Sequence, residues 1–389
     1  MIDVAVSTRS NSPVVPVIGL SFFAVASGFL MSLIPLSLAD YNLAPELAHW
    51  LASIFYLGLL IGAFFIERVV ARIGHRKAFI GFLALLTSTV LLQVAAPTAL
   101  VWLAARLVAG IAVAGVFVVV ESWLLMASTP KARAKRLGIY MTSLYGGSAV
   151  GQLAIKPLGT EGPVPYLFVA GLLLVALMAP LLIKKGQPDG HQSQKLKLSE
   201  LKNLSQPAVM GCLVSGLVLG PIYGLMPLYI AQTDAAPKTG LLMAVIILGG
   251  MAVQPLVSYL SPRMSKSLLM ALFCLFGALS IAGVMRAETL PVLMISYMLL
   301  GACSFALYPI AITLACDKLD VSKIVSATEI MLLSYSFGSV LGPLFAAMFS
   351  DSAHGLPMYL GVCLFATCIY MLIKSSSKIS TTDTPIAGH

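Results

Sequence analysis

VWLAARLVAGIAVAGVFVVVESWLLMAS, residues 101–128, carries only two charges, Arg106 and Glu121, in a run long enough to cross a bilayer as one helix. A charge inside hydrocarbon costs about 2.5–3.5 kcal/mol on insertion scales, so such residues are kept for a partner or for a task. Arg106 lies seven residues from the start of the span at residue 99, about 10 Å deep at 1.5 Å per residue, and is expected to face a cavity. Its expected work is attracting an anionic substrate group or setting the protonation of a nearby acid. Glu121 comes fifteen residues later, about 22 Å along the same helix, so the two cannot pair with each other. It is expected to be a latch with Arg133 or Arg136, and proton carriage is the other reading.

The rest of the chain is of the same kind. Of 389 residues, 59% are hydrophobic and 10% charged, with a mean hydropathy of +0.96, too little polar material to coat a soluble globule of this size. The net charge of +9 sits in short runs between apolar blocks, which excludes a nucleic-acid surface and points to membrane topology. The six cysteines have no CxxC spacing and read as small apolar fillers. The five histidines are scattered, so no metal or cofactor is expected. The first apolar run, 14–39, is too long for a signal peptide.

Twelve spans are expected, near 14–39, 48–66, 78–96, 99–126, 137–156, 164–183, 207–231, 240–260, 268–285, 290–316, 324–349 and 356–373. They form an all-α membrane protein of two six-helix bundles, 1–183 and 207–374, joined by the lysine-rich linker 184–206 and followed by a flexible tail, 375–389. Arg72, Gly110, Ser143, Gly147 and Gly151 recur 191 residues later as Arg263, Gly301, Ser334, Gly338 and Gly342, and Pro35 recurs as Pro227 at a shift of 192. A common shift across several spans is the mark of a duplicated half. With both termini in the cytoplasm, 20 of the 24 Lys and Arg fall on the inner side, as the positive-inside rule requires. Trp50, Trp102 and Trp123 lie near predicted helix ends and are expected at the lipid–water interface.

On these residues the chain resembles the major facilitator superfamily, over essentially its whole length. The loop ERVVARIGHRK, 67–77, is similar to that family's signature between helices 2 and 3 through Arg72, Gly74, Arg76 and Lys77. Glu67 and Ala71 stand where the signature has glycine and aspartate. Arg106 with Gly110 matches the signature of helix 4. The antiporter signature of helix 5 ends in Gly-Pro, whereas this chain reads GGSAVGQL, with Gln152 in the proline position. Gly-Pro occurs instead on helix 11, as Gly342-Pro343. The segments VVVESWL, YGLMPLY and LLSYSFGSVLGP resemble the YcaD-type branch.

The resemblance implies a secondary carrier, monomeric, in the inner membrane of a bacterium. It would move a small organic solute by alternating access with protons as the coupling ion, and export of amphipathic drugs against protons is the alternative. Candidate cavity groups are Tyr56, Tyr145, Gln152, Tyr223, Gln254, Tyr308 and Tyr335, polar tips in apolar spans, and Glu329, the only acid in the spans of the second half. The spacings Gly147–Gly151 and Gly338–Gly342 suit close helix packing. A membrane-embedded enzyme would need clustered acids, histidines or cysteines, and a sensor would carry an added soluble domain. The chain has neither pattern, nor a nucleotide-binding loop.

Overall fold

Backbones that cross hydrocarbon must satisfy their own hydrogen bonds, which here leaves the helix as the spanning element. The computed structural model describes residues 12–125, 130–183, 205–317, 321–350 and 352–380, with side chains described for all of these except 125, 130–134, 321–327, 329 and 377–380. No strand occurs among the described residues. We number the crossings α1 (Val14–Leu36), α2 (Leu47–Ile73), α3 (His75–Ala95), α4 (Ala99–Leu125), α5, α6 (Val164–Leu182), α7 (Gln206–Gly224, continued by Met226–Ala231), α8 (Thr239–Ala252, continued by Gln254–Leu260), α9 (Lys266–Arg286), α10 (Leu290–Cys316), α11 (Val321–Ala347) and α12 (Gly355–Ser380). α5 is assembled from Pro130–Met141, a π-helical turn at Thr142–Gly146, and the pieces Gly147–Leu153 and Ile155–Leu158.

Among the described residues eleven of these are long and apolar enough to cross a membrane, and the broken α5 accounts for the remaining expected span. Residues 184–204 of the expected linker lie outside the described residues, and α12 runs to Ser380, beyond the expected start of the tail.

The duplication inferred from single residues extends to the helices themselves. His75, Ala99 and Val164 begin helices, and Lys266, Leu290 and Gly355 begin their counterparts, each 191 residues on. Packing repeats as well. In the first half α1 packs on α5 and α6, α2 on α4, and α3 on α4 and α6; in the second, α7 packs on α11 and α12, α8 on α10, and α9 on α10 and α12. Each half has its own apolar core. The halves meet chiefly along two seams, α2 against α11 and α5 against α8, which are counterparts of one another.

Helices in lipid gain no hydrophobic force by associating, so small residues that admit close backbone contact decide where they touch. A Cβ on Gly110 would run into the carbonyl of Phe55, and one on Gly301 into that of Ile246; a Cβ on Gly58 would meet the carbonyl of Leu107, and one on Gly249 that of Met298. All four partners of the first pair of helices are thus repeated 191 residues later in the second.

The turn between α2 and α3 is Gly74, with φ 83° and ψ 154°, a backbone region essentially reserved for glycine. We predict that Gly74→Ala costs about 1–3 kcal/mol, visible as a lower unfolding temperature in detergent. Gly81→Ala, where an added methyl meets nothing within 4 Å, serves as the neutral control. Equal unfolding temperatures for the two variants would contradict this account. Arg76 of the same loop donates from Nε to the carbonyl of Pro180 (2.6 Å) and from Nη2 to that of Leu181 (3.2 Å), satisfying carbonyls left free at the end of α6. Arg72 and Lys77 are exposed. In the second half Arg263 lies over the ring of Tyr259 at 3.7 Å, and Lys266 pairs with Asp317 at 2.7 Å across the ends of α9 and α10.

Two of the three tryptophans are not interfacial. Trp102 and Trp123 are 0% and 1% exposed, and the Trp102 indole donates to the carbonyl of Gln93 at 2.9 Å while its ring packs with Tyr41 and Tyr166. Position near a helix end could not tell a ring facing lipid from one facing a neighbouring helix. Only Trp50, 49% exposed, has the accessibility of a belt residue.

Candidate functional site

Between the halves lies a cavity of about 670 Å³. α4 and α2 supply Arg106, Phe55 and Tyr56; α5 supplies Tyr145 from the π-helical turn; α7, α10 and α11 supply Tyr223, Tyr308 and Tyr335. π-helical turns re-aim a side chain by inserting extra backbone into a helix, and this one carries a cavity residue. Among the described residues lining the space, Arg106 is the only charged side chain.

Arg106 is held through its flat face. Its guanidinium carbon sits 4.2 Å above the centre of the Phe55 ring, a cation–π contact, and the phenols of Tyr56 and Tyr166 lie close enough to interact with it electrostatically. Its Nε is buried with no hydrogen-bond partner. The contact with Phe55 depends on α2 and α4 being in backbone contact, which Gly58 and Gly110 allow.

The aromatic wall is continuous across the halves. Phe305 packs edge-on against both Tyr145 and Tyr223 at 5.6 Å, and Tyr308 packs on Tyr335 at 5.1 Å. The hydroxyls of Tyr56, Tyr145, Tyr223 and Tyr308 have no hydrogen-bond partner among the described residues, which leaves them to a bound solute or solvent.

Six of the polar residues singled out from sequence, Tyr56, Tyr145, Tyr223, Gln254, Tyr308 and Tyr335, line the cavity together with Arg106. Gln254 also donates to the carbonyl of Gly250 at 3.0 Å. Gln152 does not join them. It is fully buried away from the cavity, donates from Nε2 to the Gly28 carbonyl (2.6 Å) and accepts from Ser32 Oγ at Oε1 (2.6 Å), tying α5 to α1. Both ends of its amide are satisfied, so it serves packing.

Glu121 is exposed at the end of α4 nearest the chain termini. The side chains of Arg133 and Glu329 lie outside the described residues. Gly147 and Gly151 press against α1, at Ala24 and at the carbonyl of Val25, while Gly338 and Gly342 press against α7, at the carbonyls of Leu213 and Leu217. Pro343 approaches Gly220 of α7 in the same contact.

Phe55 and Phe305 were not legible as site residues. Both halves of their helices are apolar all round, so no sequence period separates a phenylalanine facing the cavity from one facing lipid.

On the side away from the termini the halves touch. A Cβ on Gly224 would collide with that of Ala52, and one on Gly240 with the carbonyl of Gln152. In the other direction the lining continues to Ile312 and Thr313, within about one turn of the end of α10.

A duplicated all-helical membrane protein with a lined central cavity between its halves has the architecture of a solute carrier. The sequence profile of the Major Facilitator Superfamily matches residues 17–343 and 239–385. The chain is 32% identical over 360 residues to the MFS-type transporter YcaD of Shigella flexneri serotype 5b, covering 89% of this chain and 92% of that one. It is 30% identical over 394 residues to an MFS-type transporter of Enterobacter sp. (strain 638), covering 98% and 99%. The chain therefore belongs to the Major Facilitator Superfamily, and it is a transport protein rather than an enzyme.

Solved structures agree on the fold. A mutant of the nucleoside transporter NupG superposes with a TM-score of 0.79 at 10% identity, covering 93% of this chain and 98% of that one. A bacterial homologue of the human lysosomal transporter Spinster, in an inward-facing and unoccupied conformation, superposes with a TM-score of 0.70 at 15% identity, covering 93% and 95%.

Proposed function

We propose that this chain is a monomeric, proton-coupled secondary carrier of the bacterial inner membrane that moves a small organic solute by alternating access. Residues 1–183 and 207–374 rock as units about the linker 184–206, and the tail 375–389 stays in the cytoplasm with the N-terminus. The observation that carries this reading is the central cavity, lined among the described residues by one cation, Arg106, and by several tyrosines, between two halves related by duplication. Its walls come from both halves, so a relative rotation necessarily changes access to it.

With this topology the contacts Gly224–Ala52 and Gly240–Gln152 lie on the outer side, which supports reading this conformation as inward-facing. Glu121 and Glu329 are the candidate proton carriers. Glu121 latches onto Arg133 or Arg136 when the cytoplasmic side closes, which suits its exposed position at the end of α4. Gln152 in place of the antiporter proline argues against export of drugs by the family's antiporter pattern.

Thermal-shift screening of the purified protein against metabolites, followed by flux in proteoliposomes, tests the reading, because a ligand of the native state raises apparent stability. Ligand-free behaviour across a broad metabolite set, with no flux, would refute it. Topology is tested separately. A cysteine introduced as Ser193→Cys in a cysteine-free background is expected to react with an impermeant maleimide only after the cells are permeabilised. Labelling in intact cells would invert the orientation.

A further inference from the structure

We infer that the transported solute is an organic monoanion with an aromatic or extended apolar body, its acid group on Arg106 and its body against Phe305, Tyr145 and Tyr223. This rests on the carrier reading above and narrows it to a chemical class.

Charge is the first argument. The guanidinium remains charged and only partly exposed in a mostly apolar cavity, where a cation with no counter-charge beside it favours the arrival of an anion. No carboxylate lines the cavity among the described residues, so the chain offers no counter-ion there. One cation with no second one beside it balances one negative charge. A dianion such as a phosphate monoester would carry a surplus charge into the same space, and an amine would meet Arg106 with no acid to hold it.

Geometry is the second. Phe55 covers one face of the guanidinium, and the buried Nε has no hydrogen-bond partner among the described residues. What remains for a ligand is the edge of the plane, whose parallel N–H groups match the two oxygens of a carboxylate. The third is the wall. Phe305 bridges Tyr145 of the first half and Tyr223 of the second, so an apolar body placed there touches both units that must move. The free hydroxyls beside it give hydrogen bonds that orient the body without adding charge.

Full-length protein in nanodiscs would be tested by calorimetry and thermal shift against benzoate, 2-naphthoate and decanoate. The corresponding amides and amines, with phenyl phosphate, complete the set. At least one carboxylate is expected to bind about tenfold or more tightly than its amide, with the amine and the phosphate weaker still. Arg106→Gln is expected to remove this preference, bringing carboxylate and amide within about twofold. Arg106→Lys should keep a preference of about threefold, since the charge remains without the fork. Size-exclusion profiles and ligand-free unfolding temperatures show whether each variant is folded. A misfolded Gln variant leaves the test to the Lys variant, where an undiminished preference counts against the proposal.

No anion-specific binding anywhere in the set, or a preference that survives Arg106→Gln, would overturn the proposal. Flux of the same probes in proteoliposomes separates the two readings. Flux of amides or amines independent of Arg106 overturns the anion assignment and leaves the carrier intact, whereas anion-specific binding without flux supports the site and overturns transport.

Discussion

Arg106→Ala is expected to abolish transport at every pH from about 5.5 to 8.5, lowering flux at least about 100-fold, the factor that roughly 3 kcal/mol of lost charge pairing represents. The size follows from the setting. Arg106 is the only cation lining the cavity among the described residues, so no other lining group can take its place. A loss uniform with pH follows because the guanidinium stays protonated throughout this range. Arg106→Lys is expected to retain about a tenth of the flux, since lysine keeps the charge but loses both the stack on Phe55 and the planar fork. Glu121→Gln differs in kind. Exposed here, Glu121 is expected to tolerate amidation with partial flux and a shifted balance between inward and outward states. Proteoliposome flux across the pH series decides: normal transport by Arg106→Ala makes the arginine structural, and a dead Glu121→Gln without pH dependence makes Glu121 the proton carrier.

The second large effect is expected from Gly342→Leu, which should insert normally yet transport nothing. A Cβ at this position would lie 2.8 Å from both the Leu217 carbonyl oxygen and Pro221 Cδ, and leucine adds three further carbons. α11 must then move away from α7, a repacking worth about 1–3 kcal/mol, which a twelve-helix protein survives. The cavity does not survive it unchanged, because α11 carries Tyr335 and Ser336 and α7 carries Tyr223. Gly151→Leu, the counterpart in the first half, faces the carbonyl of Val25 and should behave alike. Gly171→Leu, with nothing within 4 Å of its Cβ, should transport as wild type. Membrane abundance and flux of the three variants are the readout, and wild-type flux by Gly342→Leu would remove close packing of α7 on α11 from the mechanism.

The sequence by itself determined what depends on composition along the chain. A run of about 20 apolar residues must be a helix in lipid whatever surrounds it. The spans and their duplication were therefore legible, with the fourth and tenth spans placed to start at residues 99 and 290, where those helices begin. The deep charge of Arg106 was legible for the same reason, since few neighbours can make a cation cheap in hydrocarbon.

Rotation about each helix axis was not legible. A helix apolar on all faces has no period that says which side meets lipid, a neighbour or a cavity. Only tertiary packing separated Gln254, which lines the cavity, from Gln152, whose amide is spent on Gly28 and Ser32. It buried Trp102 and Trp123 although both lie near helix ends, set Phe55 beneath Arg106, and broke α5 with the π-helical turn that carries Tyr145. These outcomes depend on which backbones can approach closely, at Gly58 against Gly110 or Gly342 against Leu217, and that is decided between helices far apart in the chain.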